Sequence, residues 1–300
     1  MTSDGHRGRP PAAGRRDGAV STAVALLGST HPGPTVVVTL LAVVLGASSG
    51  LPVGRLALLA LAVLLGQASI GFANDWLDAG RDRAVGRTDK PVAQGRVSVS
   101  AVRAAAVGCG LAMLVPSFAL GSAAGTAHLV LVASGWAYDL GLKRTPASVL
   151  PFVVSFGLLP AVATLAAAPP AAPAAWAVLV GAVFGVAIHF TNVLPDLDDD
   201  ARTGIAGLPH RLGRTVSGVV AFAALAVAAV LLLGGQVGGG SSTPGLVAAV
   251  VGTVVTLGIA VVGVRLVRAG RVDRTLFRLI MAAAILLVVQ LALSGGTIVA

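Results

Sequence analysis

Two short stretches hold most of the side chains with which this chain could do chemistry. NDWLDAGRD places Asn74, Asp75, Asp78 and Asp82 at i, i+1, i+4 and i+8, and NVLPDLDDD places Asn192, Asp196 and Asp200 at i, i+4 and i+8, 118 residues further on. At about 100° per helical residue, the first four point into a sector about 100° wide. His189 and Asp199 share the sector of the second set, Asp198 points the other way, and Pro195 bends the register there. All twelve acidic residues are Asp, and eight of them lie within 75–89 and 196–200, so the search for function begins in these stretches.

Carboxylates stacked on one helical face repel one another, and burying them near a membrane needs a cation between them. A hard divalent ion with oxygen ligands suits the pattern: Mg²⁺ takes one or two carboxylates and draws its other ligands from water and phosphate. Two such arrays facing a Mg²⁺-bound diphosphate would ionise an allylic diphosphate, because the metal neutralises the leaving group as charge develops on it. The plainer alternative pairs the aspartates with Arg81, Arg83, Arg87 and Arg202 as solvated loop charges. Two clusters of matching spacing, each at the end of an apolar span, argue against it.

The elements that must position these residues are membrane spans. The 300 residues are 56% hydrophobic and 11% charged, with a mean hydropathy of +0.91, too few polar side chains to cover a soluble globule. Apolar spans run at 34–48, 54–73, 98–115, 118–138, 147–168, 174–194, 215–235, 245–266 and 276–299, each close to the roughly 20 residues a crossing helix needs. This predicts an all-α integral membrane protein with nine crossings and a single domain over 19–300. Residues 1–18, basic and without an apolar face, are expected to be a disordered tail.

Charge sets the expected orientation. The loops at 116–118, 169–173 and 236–244 carry no charge, whereas 74–97, 139–146, 195–214 and 267–275 carry most of it. By the positive-inside rule the N-terminus and every charged loop are cytoplasmic and the C-terminus is outside, in a multi-pass cell-membrane protein. Four spans separate the two Asp-rich stretches, so both emerge on one face and can share a site. The formal charge of +9 falls in short clusters without aromatic interleaving, which excludes a nucleic-acid groove binder. Single Cys109 forms no internal disulfide, and the five His residues lack zinc-ligand spacing.

Together these motifs resemble the UbiA family of intramembrane prenyltransferases. NDWLDAGRD followed by DRAVGRTDKPVAQGRVS is similar to its NDxxDxxxD signature and basic loop, DLDDDARTGIAGLPHRLG to its DxxxDxxxG signature, and YDLGLKR to its Tyr and Lys-Arg motif. The resemblance implies nine helices around a central cavity that is capped by two cytoplasmic Asp-rich loops and open laterally to lipid. It implies Mg²⁺ held by Asp75, Asp78, Asp82, Asp196 and Asp200, with Asp75, Asp78, Asp196 and Asp200 catalytic. It also implies a polyprenyl diphosphate met by Asn74, Arg87, Lys90, Tyr138, Lys143, Arg144 and Asn192, and transfer to an aromatic or other lipophilic acceptor. His189 is a candidate for the acceptor or a phosphate oxygen. Two departures stand out: Tyr138 and Lys143 are five apart where many members have four, and His31-Pro32 stands where many have Arg-Pro, a pair suited to an acidic aromatic acceptor. Rival readings are an ion-coupled transporter, whose sites usually lie at midplane, and a CDP-alcohol phosphotransferase, whose Asp-Gly pair is missing because Ala79 follows Asp78.

Overall fold

The computed structural model describes residues 22–239, 242–294 and 298–300, and within them the chain is helical apart from turns and one isolated bridge between Pro173 and Val299. In chain order the α-helices are α1 (Thr22–Gly28), α2 (Pro32–Ser48), α3 (Val53–Ala84), α4 (Val99–Ala112), α5 (Leu114–Ala119), α6 (Ser122–Leu140), α7 (Leu150–Leu165), α8 (Ala175–Val193), α9 (Leu197–Arg202), α10 (Leu208–Leu212), α11 (Arg214–Gly238), α12 (Thr243–Arg268) and α13 (Arg274–Ser294). Among the described residues, six stretches are long and apolar enough to cross a membrane, against the nine expected, and a seventh arises if α1 and α2, bent by 62°, count as one span. The expected tail at 1–18 lies outside the described residues.

Several boundaries differ from the hydropathy reading, each for a local reason. The second span does not stop at residue 73: α3 runs on to Ala84, and its 32 residues span about 48 Å against a hydrocarbon core of roughly 30 Å. Polar residues from Asn74 onward break the hydropathy signal without breaking the helix, because no proline intervenes and Arg81 and Arg83 in the last turn complement the helix dipole. The first Asp motif is therefore helical and does not belong to a loop. On the other side, Pro195 does interrupt the ladder, so a 3₁₀ turn at Leu194–Asp196 separates α8 from the short α9. The last span ends at Ser294, after which the chain returns to α8, with Ala174 N–H donating to the Ile298 carbonyl at 2.7 Å.

Close helix approach rests on small residues, as membrane packing requires. Gly181 and Gly185, four apart on α8, lie against the α7 backbone; a Cβ on them would sit 2.2 Å from the Phe156 carbonyl oxygen and 2.4 Å from that of Phe152. Arg55 stands apart from the other basic residues in sequence. It donates to the Leu120 and Ala166 carbonyls at 2.5 and 2.6 Å, satisfying acceptors at the C-terminal ends of α5 and α7.

Candidate active site

The residues of the two Asp motifs converge at one end of a cavity of about 550 Å³. Its polar end is walled by the last turns of α3, the loop after it, the end of α6 and the α8–α9 junction. Its other end is walled by Val38 and Leu41 of α2, Phe152 and Phe156 of α7, Phe184 of α8 and Met281 of α13. A charged mouth leading to an apolar interior suits an amphiphile with an anionic head.

The two acid arrays meet through arginines. Arg81 donates to Asp78 at 2.9 Å and to Asp200 at 3.1 Å, and Arg87 Nη1 lies 3.1 Å from Asp196 Oδ2. Asp75, Asp78 and Asp82 are almost fully buried, as the C-terminal turns of α3 pack beneath the following loop. Lysines compensate them: Lys143 Nζ lies 2.7 Å from both Asp78 oxygens, and Lys90 Nζ lies 3.1 Å from Asp75 and from Asp82 and donates to Asn74 at 2.9 Å. Burial alone would depress the Lys90 ammonium, but the charges of Asp75, Asp82 and Asp78 outweigh it and its pKa is raised. The plain reading of the aspartates as ion-pair partners therefore holds for Arg81, Arg87 and Arg202, the last paired with half-buried Asp199, whereas Arg83 donates to the Ala79 carbonyl.

The loop after α3 is fixed to the mouth of the cavity. Asp89 accepts from Arg87 at 2.8 and 3.0 Å and from Arg274 of α13 at 2.7 Å. The Arg87 hydrogen bond holds the Asp89 carboxyl far below the usual carboxylate range, with Arg274 adding to it, and the same contact raises the Arg87 pKa further.

Not every residue singled out from sequence reaches the cavity. Asn74, Asp75, Asp78, Arg87, Lys90, Tyr138, Lys143, Asn192, Asp196 and Asp200 line it. Asp82 sits behind Lys90. Arg144 is exposed and outside the cavity lining, although its neighbour Lys143 is buried. His189 is also off the wall: fully buried, it is hydrogen-bonded to Ser148 at 3.1 Å and packs edge-on against Tyr138. Asp75 lines the cavity and Asp199 does not.

Sequence reasoning assigned no role at the site to four side chains: Asp139, His31, Arg274 and Arg278. Asp139, buried between Asn74 (2.8 Å) and Lys143 (3.7 Å), is the acidic member of YDLGLKR, and its i, i+4 spacing to Lys143 was the available signal. His31, the one non-glycine residue with positive φ among those described (φ 53), joins α1 to α2 and lies 3.0 Å from Asp75. Arg278 and Arg274, one helical turn apart on α13, both line the mouth.

The donor set is compatible with a hard cation. Every candidate ligand is an oxygen, and buried Asp82 Oδ2 and Asp139 Oδ2 lack a hydrogen-bond partner; the contact of Asp82 Oδ2 with Lys90 is an ion pair without hydrogen-bond geometry. No group of three or more acidic, His or Cys side chains converges as a cage among the described residues.

Comparison with known proteins identifies the fold. A UbiA homologue from Aeropyrum pernix K1 in its apo form superposes with a TM-score of 0.71 at 21% identity, covering 85% of this chain and 96% of that one. A homologue from Archaeoglobus fulgidus bound to GPP and Mg²⁺ gives 0.67 at 13% identity over 89% and 98% of the two chains. A digeranylgeranylglyceryl phosphate synthase gives 0.66 at 14% over 92% and 99%. No curated protein matches the sequence. The model of the UbiA prenyltransferase family matches residues 35–294, and with that match over most of its length the chain belongs to the UbiA prenyltransferase family.

Proposed function

We propose that this enzyme transfers a prenyl group from a polyprenyl diphosphate to an aromatic or other lipophilic acceptor within the membrane, with Mg²⁺ as cofactor. The observation that carries the reading is the Arg81 bridge between Asp78 and Asp200 at the charged end of an otherwise apolar cavity. Asp75, Asp78, Asp82, Asp196 and Asp200, with Asn74, offer the oxygens that would hold Mg²⁺. Bound there, it would supply charge neutralisation for the departing diphosphate.

The chain's own cations do the rest. Lys90, Lys143, Arg81 and Arg87 now neutralise carboxylates, and they are placed to exchange those partners for phosphate oxygens. Tyr138 stands at the same wall, its ring held by Phe152 at 5.1 Å. The apolar walls exclude water from the allylic cation, so that the acceptor captures it before hydrolysis can. Asp75, which lines the cavity, would take the proton released when an aromatic acceptor rearomatises, a reading supported by its place in that lining, which Asp199 does not share. In a structure of the Archaeoglobus fulgidus homologue the bound ligands are DMAPP and Mg²⁺, which supports the same ligand class here.

We further infer one domain over 19–300, nine crossings, a cytoplasmic N-terminus and an outside C-terminus. The support is that Arg81, Arg87, Lys90, Lys143, Arg274 and Arg278 line the cavity and that Arg265, Arg268 and Arg271 lie at the α12–α13 turn. The transporter and CDP-alcohol phosphotransferase readings give way to the family match. Asp78→Asn and Asp196→Asn are expected to abolish Mg²⁺-dependent diphosphate release from geranyl diphosphate in membranes containing the folded protein, while Asp198→Asn is mild. Retained turnover in both of the first two variants would refute the assignment.

A further inference from the structure

Beyond the main cavity lies a second, smaller one of about 70 Å³, with no charged or hydroxyl side chain in its lining. The two share Leu41, Phe156, Leu159, Phe184 and Ala284 as a common wall. In that wall Phe156 and Phe184 pack edge to face, their ring centroids 6.0 Å apart at 76°. Phe184 is 4% exposed on α8, between Gly181 and Gly185, whose lack of Cβ lets α7 approach, and partly buried Phe156 faces it from α7. The far end of the rear space is closed by Trp176, which packs on Gly235 so tightly that a Cβ there would meet the indole at 2.2 Å, and by fully buried Ile298.

We propose that the Phe156–Phe184 pair is the stop that sets prenyl chain length in this enzyme, and that the rear pocket behind it is space the native substrate does not fill. The inference rests on the prenyl diphosphate reading above. Asn192, at the charged end, and Phe184 are eight residues apart on α8, which is about 12 Å. A five-carbon isoprene unit adds four chain bonds, roughly 4 to 5 Å when extended, by the reach of about 3.3–3.6 Å for three backbone bonds. The front cavity therefore takes a tail of about three units before it meets the rings. From Phe184 to Trp176 there are another eight residues and about 12 Å. An apolar space of this kind stays dry and accepts hydrocarbon when a path into it opens.

The test compares binding of geranyl, farnesyl, geranylgeranyl and hexaprenyl diphosphate to the purified protein with Mg²⁺, each as a ratio of variant to wild type so that micelle partitioning cancels. Wild type is expected to bind farnesyl diphosphate at least tenfold tighter than hexaprenyl diphosphate. Phe184→Ala, and in milder form Phe156→Leu, removes the stop and raises the hexaprenyl-to-farnesyl affinity ratio at least tenfold. Ala284→Phe thickens the shared wall and shifts preference about tenfold toward geranyl diphosphate. Equal affinity for all lengths in wild type and variants alike would overturn the proposal, since the tail would then run out into lipid. Failure of every prenyl diphosphate to bind tighter than inorganic diphosphate would instead overturn the functional reading on which it stands.

Discussion

Arg81 and Asp200 are 119 positions apart in the chain and 3.1 Å apart in space. Because Arg81 also holds Asp78 on its own helix, one guanidinium ties the C-terminal end of α3 to the short helix after α8. Arg81→Gln is expected to lower the rate of diphosphate release from geranyl diphosphate by roughly 10²–10³, the usual cost of removing one preorganised donor from a reacting anion. Its melting temperature in detergent should change little, since the arginine is partly solvated. A variant with wild-type turnover would show that the two arrays work without this link.

Lys143 and Arg144 are adjacent but face different surroundings. Lys143→Met removes both short contacts to a buried carboxylate and is expected to destabilise the fold by about 3–5 kcal/mol, as unpairing a buried charge does. Adding Asp78→Asn to it should recover much of that stability but no activity. Arg144→Ala, at an exposed position, should stay within about 0.5 kcal/mol of wild type and keep its turnover. Thermal unfolding and diphosphate release measured on the same samples check both halves.

Asp89 fastens the loop after α3 to α13. Its carboxyl is depressed in the folded protein, so its contribution is fully present above the ordinary carboxylate value near 3.8 and is lost as pH falls through the lower folded value. The loop should therefore stay protected from hydrogen exchange at pH 5 and loosen only in stronger acid. Asp89→Asn should expose the amides of 85–97 at neutral pH. Protection unchanged by that substitution would mean the loop is held by other contacts.

The α7–α8 contact depends on missing side chains. Gly181→Leu is expected to cost at least about 1–3 kcal/mol, because its Cβ would sit 2.2 Å from a backbone oxygen that cannot retreat alone. Gly258→Ala on α12, where a Cβ meets nothing within 4 Å, should be neutral or stabilising by roughly 0.5–1 kcal/mol. Unfolding in detergent distinguishes the two.

Much of the helical framework was legible as runs of apolar residues, because in a membrane the backbone must satisfy its own hydrogen bonds and a long apolar run has little choice but helix. The same logic misplaced the end of α3. Hydropathy reports where lipid ends, whereas the helix continues as long as its backbone bonds and the pairs around Asp78 and Asp82 hold it.

The sequence by itself determined which acids share a face, since the i, i+4 spacing of Asn74, Asp78 and Asp82 follows from helix geometry alone. It also determined that an apolar, all-helical chain would carry them. Only the tertiary structure decided their partners: that Arg81 reaches Asp200, that Asp139 sits among them, that Lys143 turns inward while Arg144 does not, and that Phe156 and Phe184 meet in a wall shared by two cavities. Spacing along a helix is local and periodic, but which faces meet depends on the fit of glycines and side chains between segments far apart in the chain.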